Sequence, residues 1–262
     1  MAEEMSSESA PDFFVIPEPE KFVFKDAYVQ SSLAKWDLAP SSKVYRFRFS
    51  KRYHKLAADE FLVDFFNNET VQKEFKVLNE RREWAPIGPV TEVKCEIAPA
   101  SIVSMDFFDR LQDSEPQIVK NGSIVKCMDM QYDGFMVSDL LRDMLVNEDS
   151  ENAAMYSPEE RSQLLYRILH HLALGGPMCQ FEDELEPYTE TAKRLYKGLV
   201  SVQKNASTGK VEITSVVYAV NSVTADLWSL FPKNNKQNFC FVCVDVLRRQ
   251  CTVWYNAHFP YW

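Results

Sequence analysis

Apolar residues recur at helical spacing along much of the first two-thirds of the chain. The best-marked pattern covers 158–174, where Ser157 is placed as an N-cap and Glu160 completes a capping box. Gly175 follows the last apolar position and marks the end of this helix.

Shorter amphipathic patterns predict helices over 26–38, 57–66, 70–79, 104–111, 139–146 and 188–197. Asp26 is placed as the N-cap of the first of these helices, and Ser138 as the N-cap of the helix over 139–146.

The last third of the chain has the pattern of β-strands. Residues 239–246 and 251–257 predict one antiparallel hairpin, and 199–204 with 210–220 predict another. Other predicted strands cover 43–49, 90–97 and 123–128, with an edge strand within 13–24, where two prolines interrupt the run. The mixture predicts an α+β fold in which antiparallel β-hairpins, mainly C-terminal, pack with several helices.

The first residues differ from the rest in polarity. Residues 1–12 are acidic and carry little apolar surface, which predicts a disordered acidic tail. The length of 262 residues suits one large domain, and we predict a single α+β domain over 13–262.

Composition argues against several classes of function. A net charge of −9 disfavours a general nucleic-acid binder, and no apolar run is long enough to predict membrane insertion. With 7 glycines the chain contains no glycine-rich phosphate loop. The 6 cysteines are scattered, and most lie in apolar runs, which predicts free thiols in a reducing compartment. No cofactor is expected.

The charge is unevenly distributed. Residues 139–190 contain 12 acidic and 3 basic residues, whereas 191–262 contain 3 acidic and 9 basic ones. Separate patches of opposite sign can each attract a different partner.

Two cysteine patterns were weighed for chemistry. Cys240 and Cys243 match a CxxC motif, but they lie in a predicted strand and are expected to be core residues. Cys179, with His170 or His171, leaves open an alternative function as a small cysteine-dependent or metal-dependent enzyme. The motif search otherwise predicts no catalytic or metal-binding residue.

The segment Lys43–Lys55 contains six Lys or Arg residues and no acid, with aromatic residues between them. RNA binding would require exposed aromatic side chains. The strict alternation instead predicts that Tyr45, Phe47 and Phe49 face inward while the arginines face solvent, where they would suit an acidic protein partner.

The opposite charge is concentrated in a predicted loop over 175–186. Four of the five residues from Glu182 to Glu186 are acidic, and such a run favours a solvated partner surface. The residues predicted to bind a partner there are Gln180, Glu182, Asp183, Glu184 and Glu186.

Several segments resemble one known family. They are Ser104–Leu111, Ile124–Cys127, Glu148–Glu151, Leu174–Asp183 and Leu199–Val202. With Pro187-Tyr188 and Tyr196-Lys197, they resemble the cilia- and flagella-associated protein 300 family, most densely over 100–215 and more loosely over 45–90.

The resemblance implies a non-enzymatic factor of motile cilia. It implies action in the cytoplasmic assembly of outer and inner dynein arms and in their delivery with intraflagellar transport. The expected partners are dynein arm assembly factors, axonemal dynein subunits or the intraflagellar transport machinery, without nucleic acid or membrane insertion. The expected locations are the cytoplasm and the axoneme of the motile cilium or flagellum.

Overall fold

The computed structural model describes residues 10–19, 21–113, 115, 117–204, 207, 209 and 211–259. Most of the predicted disordered tail, residues 1–9, lies outside the described residues. Near the end of the predicted tail, the Asp12 N–H donates to Ser50 Oγ at 3.0 Å. The first described residues therefore contact the end of a strand.

The described residues form eight α-helices: Ala27–Lys35 (α1), Ala58–Asn67 (α2), Glu69–Glu74 (α3), Arg110–Asp113 (α4), Leu140–Val146 (α5), Pro158–Ser162 (α6), Leu164–Leu174 (α7) and Glu186–Leu199 (α8). They also form fourteen β-strands: Phe13–Val15 (β1), Ser42–Phe49 (β2), Lys76–Leu78 (β3), Trp84–Pro86 (β4), Val90–Ile97 (β5), Val119–Lys120 (β6), Ser123–Ile124 (β7), Lys126–Tyr132 (β8), Phe135–Asp139 (β9), Val202–Lys204 (β10), Val211–Ile213 (β11), Ser215–Ala225 (β12), Phe239–Asp245 (β13) and Gln250–Asn256 (β14). No helix in this part of the chain is long and apolar enough to cross a membrane.

Six strands form an antiparallel sheet in the order β1-β2-β14-β13-β12-β5. The predicted C-terminal hairpin is its centre, with Cys240 opposite Tyr255 and Val244 opposite Cys251. The remaining strands pair as small hairpins, β3 with β4, β6 with β7, β8 with β9 and β10 with β11. The predicted α+β fold is confirmed.

Helices cover both faces of this sheet. Phe239, Phe241 and Cys243 of β13 pack on one face, with α1, α5, α7 and α8, which we call the helix side. Cys240, Val242 and Val244 pack on the other face, with α2 and α3, which we call the aromatic side. A strand buried on both faces is a continuous apolar run, which explains the sequence of β13 and places both cysteines of its CxxC pattern in the core.

Three local predictions were wrong in part. The helix predicted over 70–79 ends at Glu74, because 76–78 pairs with β4 and the extended Phe75 packs against Tyr45 and Phe66. The helix predicted over 158–174 breaks at Gln163, whose backbone is extended.

A tertiary contact accounts for the second break, because the Leu164 N–H donates to the Pro99 carbonyl at 2.8 Å. The third correction concerns the start of α5. Asp139 caps this helix, in place of the predicted Ser138, by accepting from the Arg142 N–H at 2.9 Å. The predicted cap at Asp26 and the capping box at Ser157 are confirmed.

Candidate functional site: the acidic segment 175–186

The acidic segment, residues 175–186, connects α7 to α8 and begins with two constrained glycines. Gly175 has a φ of 63°, a conformation that L side chains rarely adopt. A Cβ at Gly175 would clash with the side chain of Cys179, and one at Gly176 would clash with the Asp37 carbonyl. The glycines therefore let the chain leave α7 in close contact with the end of α1.

Backbone hydrogen bonds attach the first half of the segment to α1. The Gly176 N–H donates to the Trp36 carbonyl at 2.7 Å, and the Gln180 N–H donates to the Lys35 carbonyl at 3.0 Å. These bonds satisfy carbonyls at the C-terminal end of α1, which have no partner within the helix. Residues about 140 to 145 positions apart in sequence are thus held together at the start of the segment.

The second half is attached to the β6–β7 hairpin. The Ile124 N–H donates to the Asp183 carbonyl at 2.8 Å, and the Leu185 N–H donates to the Gly122 carbonyl at 3.0 Å. Because both halves are bonded to other elements, the acidic segment has a fixed conformation although most of it is irregular, with α8 starting at its last residue, Glu186.

Glu182 faces inward and stabilises this conformation. Its carboxylate accepts from Lys35 Nζ at 2.7 Å and from Trp36 Nε1 at 3.0 Å, and its side chain is 14% exposed. Its N–H also donates to the Tyr188 hydroxyl at 3.0 Å. Glu182 was predicted as a partner-binding residue, and the structure gives its side chain internal partners.

A buried cation lies beneath the segment. Arg142 is 1% exposed, pairs with the Asp139 carboxylate and donates from Nη2 to the Tyr188 hydroxyl at 2.8 Å. Its guanidinium also lies 3.4 Å from the centre of the Phe181 ring, a cation–π contact that positions the middle of the segment. Burial raises the pKa of Tyr188, so the hydroxyl stays protonated in this network.

Sequence analysis missed the role of this network. The available signal was Arg142 itself, a cation within the mostly apolar helix Leu140–Val146, all of whose residues from Leu141 onward are buried. A buried charge requires a partner. The partner Tyr188 lies 46 positions away, on a different helix, and spacing gives no indication of that contact.

The remaining predicted residues form an exposed surface, which we call the acidic edge: Gln180, Asp183, Glu184 and Glu186. The Asp183 side chain is 84% exposed and accepts from Lys126 Nζ at 2.7 Å, a hydrogen bond that lowers its pKa. All five predicted residues thus lie on this one segment. The side chain of Glu182 faces inward, and the other four residues are at the surface.

The geometry does not favour the alternative centred on Cys179. Burial is the main cause that raises the pKa of its thiol to about 12, whereas a nucleophilic cysteine needs a lowered pKa. His171 Nδ1 lies 3.2 Å from Gln237 Oε1, and no hydrogen bond between Cys179 and either His170 or His171 occurs among the described residues. In that part of the chain, no group of three or more His, Cys, Asp and Glu residues could hold a metal ion.

The basic segment 43–55 likewise offers no aromatic surface for RNA. Phe47 and Phe49 are each 1% exposed in the aromatic-side core, and the Tyr45 hydroxyl donates to the Lys76 carbonyl at 3.0 Å. Arg48 is exposed, as predicted, whereas Arg46 is half-buried, with its guanidinium 5.1 Å from the centre of the Phe22 ring.

Comparison with known proteins gives a consistent result. The sequence profile described as "Cilia- and flagella-associated protein 300" matches residues 11–256. The protein of that name from Chlamydomonas reinhardtii is 45% identical over 254 residues, which cover 95% of this chain and 99% of that protein. The one from Paramecium tetraurelia is 29% identical over 243 residues, with 93% and 92% covered. No solved structure matches the chain.

Proposed function

The chain belongs to the cilia- and flagella-associated protein 300 family, and we propose that it is a non-enzymatic factor in the assembly of axonemal dynein arms. In this proposal it promotes cytoplasmic assembly of outer and inner arms and accompanies them with intraflagellar transport into the motile cilium. The family membership is the observation that carries the proposal, because the match extends over nearly the whole chain.

We place the partner contact at the acidic edge. Its residues lie on a segment attached at both ends to other elements, so little conformational entropy is lost when a partner binds. The exposed carboxylates of Asp183 and Glu184 suit a basic surface on a dynein arm assembly factor, an axonemal dynein subunit or the transport machinery. The raised pKa of Cys179 supports recognition over catalysis as the role of this region.

The test reverses charge at exposed positions only. Asp183→Lys with Glu184→Lys changes the acidic edge without touching Glu182, whose replacement would disturb the segment. The matched control is Glu148→Lys with Asp149→Lys, because these two acidic residues are also adjacent and exposed. Each double variant would be expressed in ciliated cells that lack the native protein.

We expect the acidic-edge variant to lose co-precipitation of dynein subunits or assembly factors and to leave cilia with missing arms in electron micrographs. The control variant should restore both. If the acidic-edge variant restores arms and partners as well as the control does, the binding site is elsewhere. If cells without any form of the protein keep normal dynein arms, the assembly role itself is wrong.

A further inference from the structure

The β1 edge of the sheet carries no further strand within the residues that the structure describes. There β1 pairs with β2 alone, with Phe14 opposite Arg48, and the Ile16 N–H continues the ladder by donating to the Arg46 carbonyl at 2.9 Å. Because successive backbone groups of a strand alternate in direction, the N–H and C=O of Val15 point away from β2. An edge strand in this state can accept a further strand.

A groove of about 700 Å³ lies beside this edge, over β1, β2 and the β13–β14 turn. Its lining includes Phe14 and Ile16 of the edge segment, Arg48 of β2, and Leu247, Arg248 and Arg249 of the β13–β14 turn. Three of the lining residues are arginines and none is acidic. We call it the edge groove.

The edge groove combines arginine side chains with exposed apolar side chains. Among the described residues no ion pair includes Arg48 or Arg249, although Arg249 Nη1 donates to the Ser50 carbonyl at 2.9 Å, while Arg248 lies 3.7 Å from Asp245. Phe14 is 54% exposed and Leu247 is 63% exposed, which is high for side chains of this size. The groove therefore offers contacts for alternating carboxylates and apolar groups.

The other edge of the same sheet lacks these features. β5 carries the exposed acidic residues Glu92 and Glu96, and its pairing with β12 contains register shifts. Irregular pairing and charge are common means of blocking an edge strand. Glu92 and Glu96 lie in ion pairs with Lys94 and Arg167, so β5 differs from β1 in the pairing of its charges as well as in its irregular register.

We propose that the edge groove binds an extended acidic segment of another protein, which adds to the sheet as a strand beside β1. Main-chain hydrogen bonds to Val15 would fix the segment, and Arg48 and Arg249 would hold its carboxylates. This site is separate from the acidic edge and takes a partner of the opposite charge.

The first test measures fluorescence anisotropy of a labelled decapeptide of alternating glutamate and valine, titrated with the full-length protein at physiological salt. Arg48→Glu with Arg249→Glu should weaken binding by about tenfold or more, since hydrogen bonds to charged groups are lost and replaced by repulsion. The matched control is Lys94→Glu with Lys120→Glu, the same charge change at exposed lysines on other strands, and it should leave binding unchanged.

The second test separates strand addition from simple charge attraction. Val15→Pro removes the outward N–H, leaves the pairing of β1 with β2 and keeps every charge, so it should weaken binding of the same peptide. Equal affinity for this variant, or for a peptide with proline in place of valine, would overturn strand addition.

Three further results would overturn the choice of occupant. Concentration-dependent dimers that Arg48→Glu disperses would make the occupant a second copy of this chain. If deletion of residues 2–9 tightened peptide binding, the occupant of the edge groove would be this chain's own acidic N-terminus. Displacement of the peptide by equimolar single-stranded RNA would make the groove a nucleic-acid site.

Discussion

The two sides of the central sheet have cores of different composition. On the helix side, charged and polar groups are buried among the apolar ones, including the Arg142–Asp139 pair and His171 with Gln237. On the aromatic side the packing is dominated by rings. Phe65, for example, is fully buried, with ring centres of Phe13 and Phe47 at 5.2 and 5.3 Å.

This difference separates two structural roles on the two sides of the sheet. The rings on the aromatic side pack mostly edge to face and contribute a large buried apolar area, without buried charges to place. A buried guanidinium with hydrogen bonds fixes the positions of its partners, and here those partners carry the acidic segment. The helix side thus positions a surface loop, while the aromatic side contributes mainly apolar burial.

The largest effect should come from Arg142→Leu. It leaves the fully buried Asp139 carboxylate without its cation, and breaking a buried pair in this way costs about 3–5 kcal/mol in the free energy of unfolding. Urea denaturation gives this value directly. Adding Asp139→Asn should recover part of the loss, because asparagine can still cap α5 while the uncompensated charge is removed. No recovery would mean that packing, and not charge, makes Arg142 necessary.

An intermediate effect is expected for Glu182→Ala. Two charge-assisted hydrogen bonds to the end of α1 are lost, which corresponds to about 1.5–3 kcal/mol by urea denaturation. Asp183→Ala is the neighbouring control and should leave stability unchanged, since that carboxylate is exposed. Equal losses for the two variants would contradict the division of the segment into an inward residue and an acidic edge.

A smaller effect is expected on the aromatic side for Phe65→Leu. An apolar replacement of similar volume should cost about 1–2 kcal/mol, because neighbouring rings can repack around it. Measured by the same denaturation at pH 7 and pH 5, the loss should be the same, since the rings that pack against Phe65, those of Phe13, Phe47 and Phe66, do not titrate. A loss as large as that of Arg142→Leu would remove the contrast between the two sides.

The smallest effect concerns the pH dependence of the helix side. Burial and the neighbouring His170 hold the pKa of His171 below its ordinary value of 6.5. As the pH falls below about 6.5, the unfolded chain therefore binds this proton first, and stability is lost on acidification. His171→Phe should reduce the slope of stability against pH by up to about 1.4 kcal/mol per pH unit.

Urea denaturation between pH 7 and pH 5 measures that slope. The loss of the contact with Gln237 adds an offset that is independent of pH, so the slope remains the informative quantity. An unchanged slope would show that His171 is not a source of acid sensitivity.

Local rules in the sequence were sufficient for much of the fold. The capping box at Ser157, the cap at Asp26 and the hairpin of β13 and β14 depend on neighbouring residues or on a short turn, and all were predicted. The α+β class followed from the same patterns, because helical and strand periodicities can be recognised within short stretches of sequence. The four acidic residues that follow Phe181 were likewise visible in the sequence.

Only the tertiary structure decided which of these patterns would be overridden and where charges would lie. Residues 76–78 became a strand because β4 was available to pair with them, although their periodicity is helical. Glu182 turned inward and Asp183 outward because Lys35 and Trp36, nearly 150 positions away, lie beneath the segment. Such contacts depend on how distant elements pack, and the free energy of burying a charge is set by those partners, not by spacing along the chain.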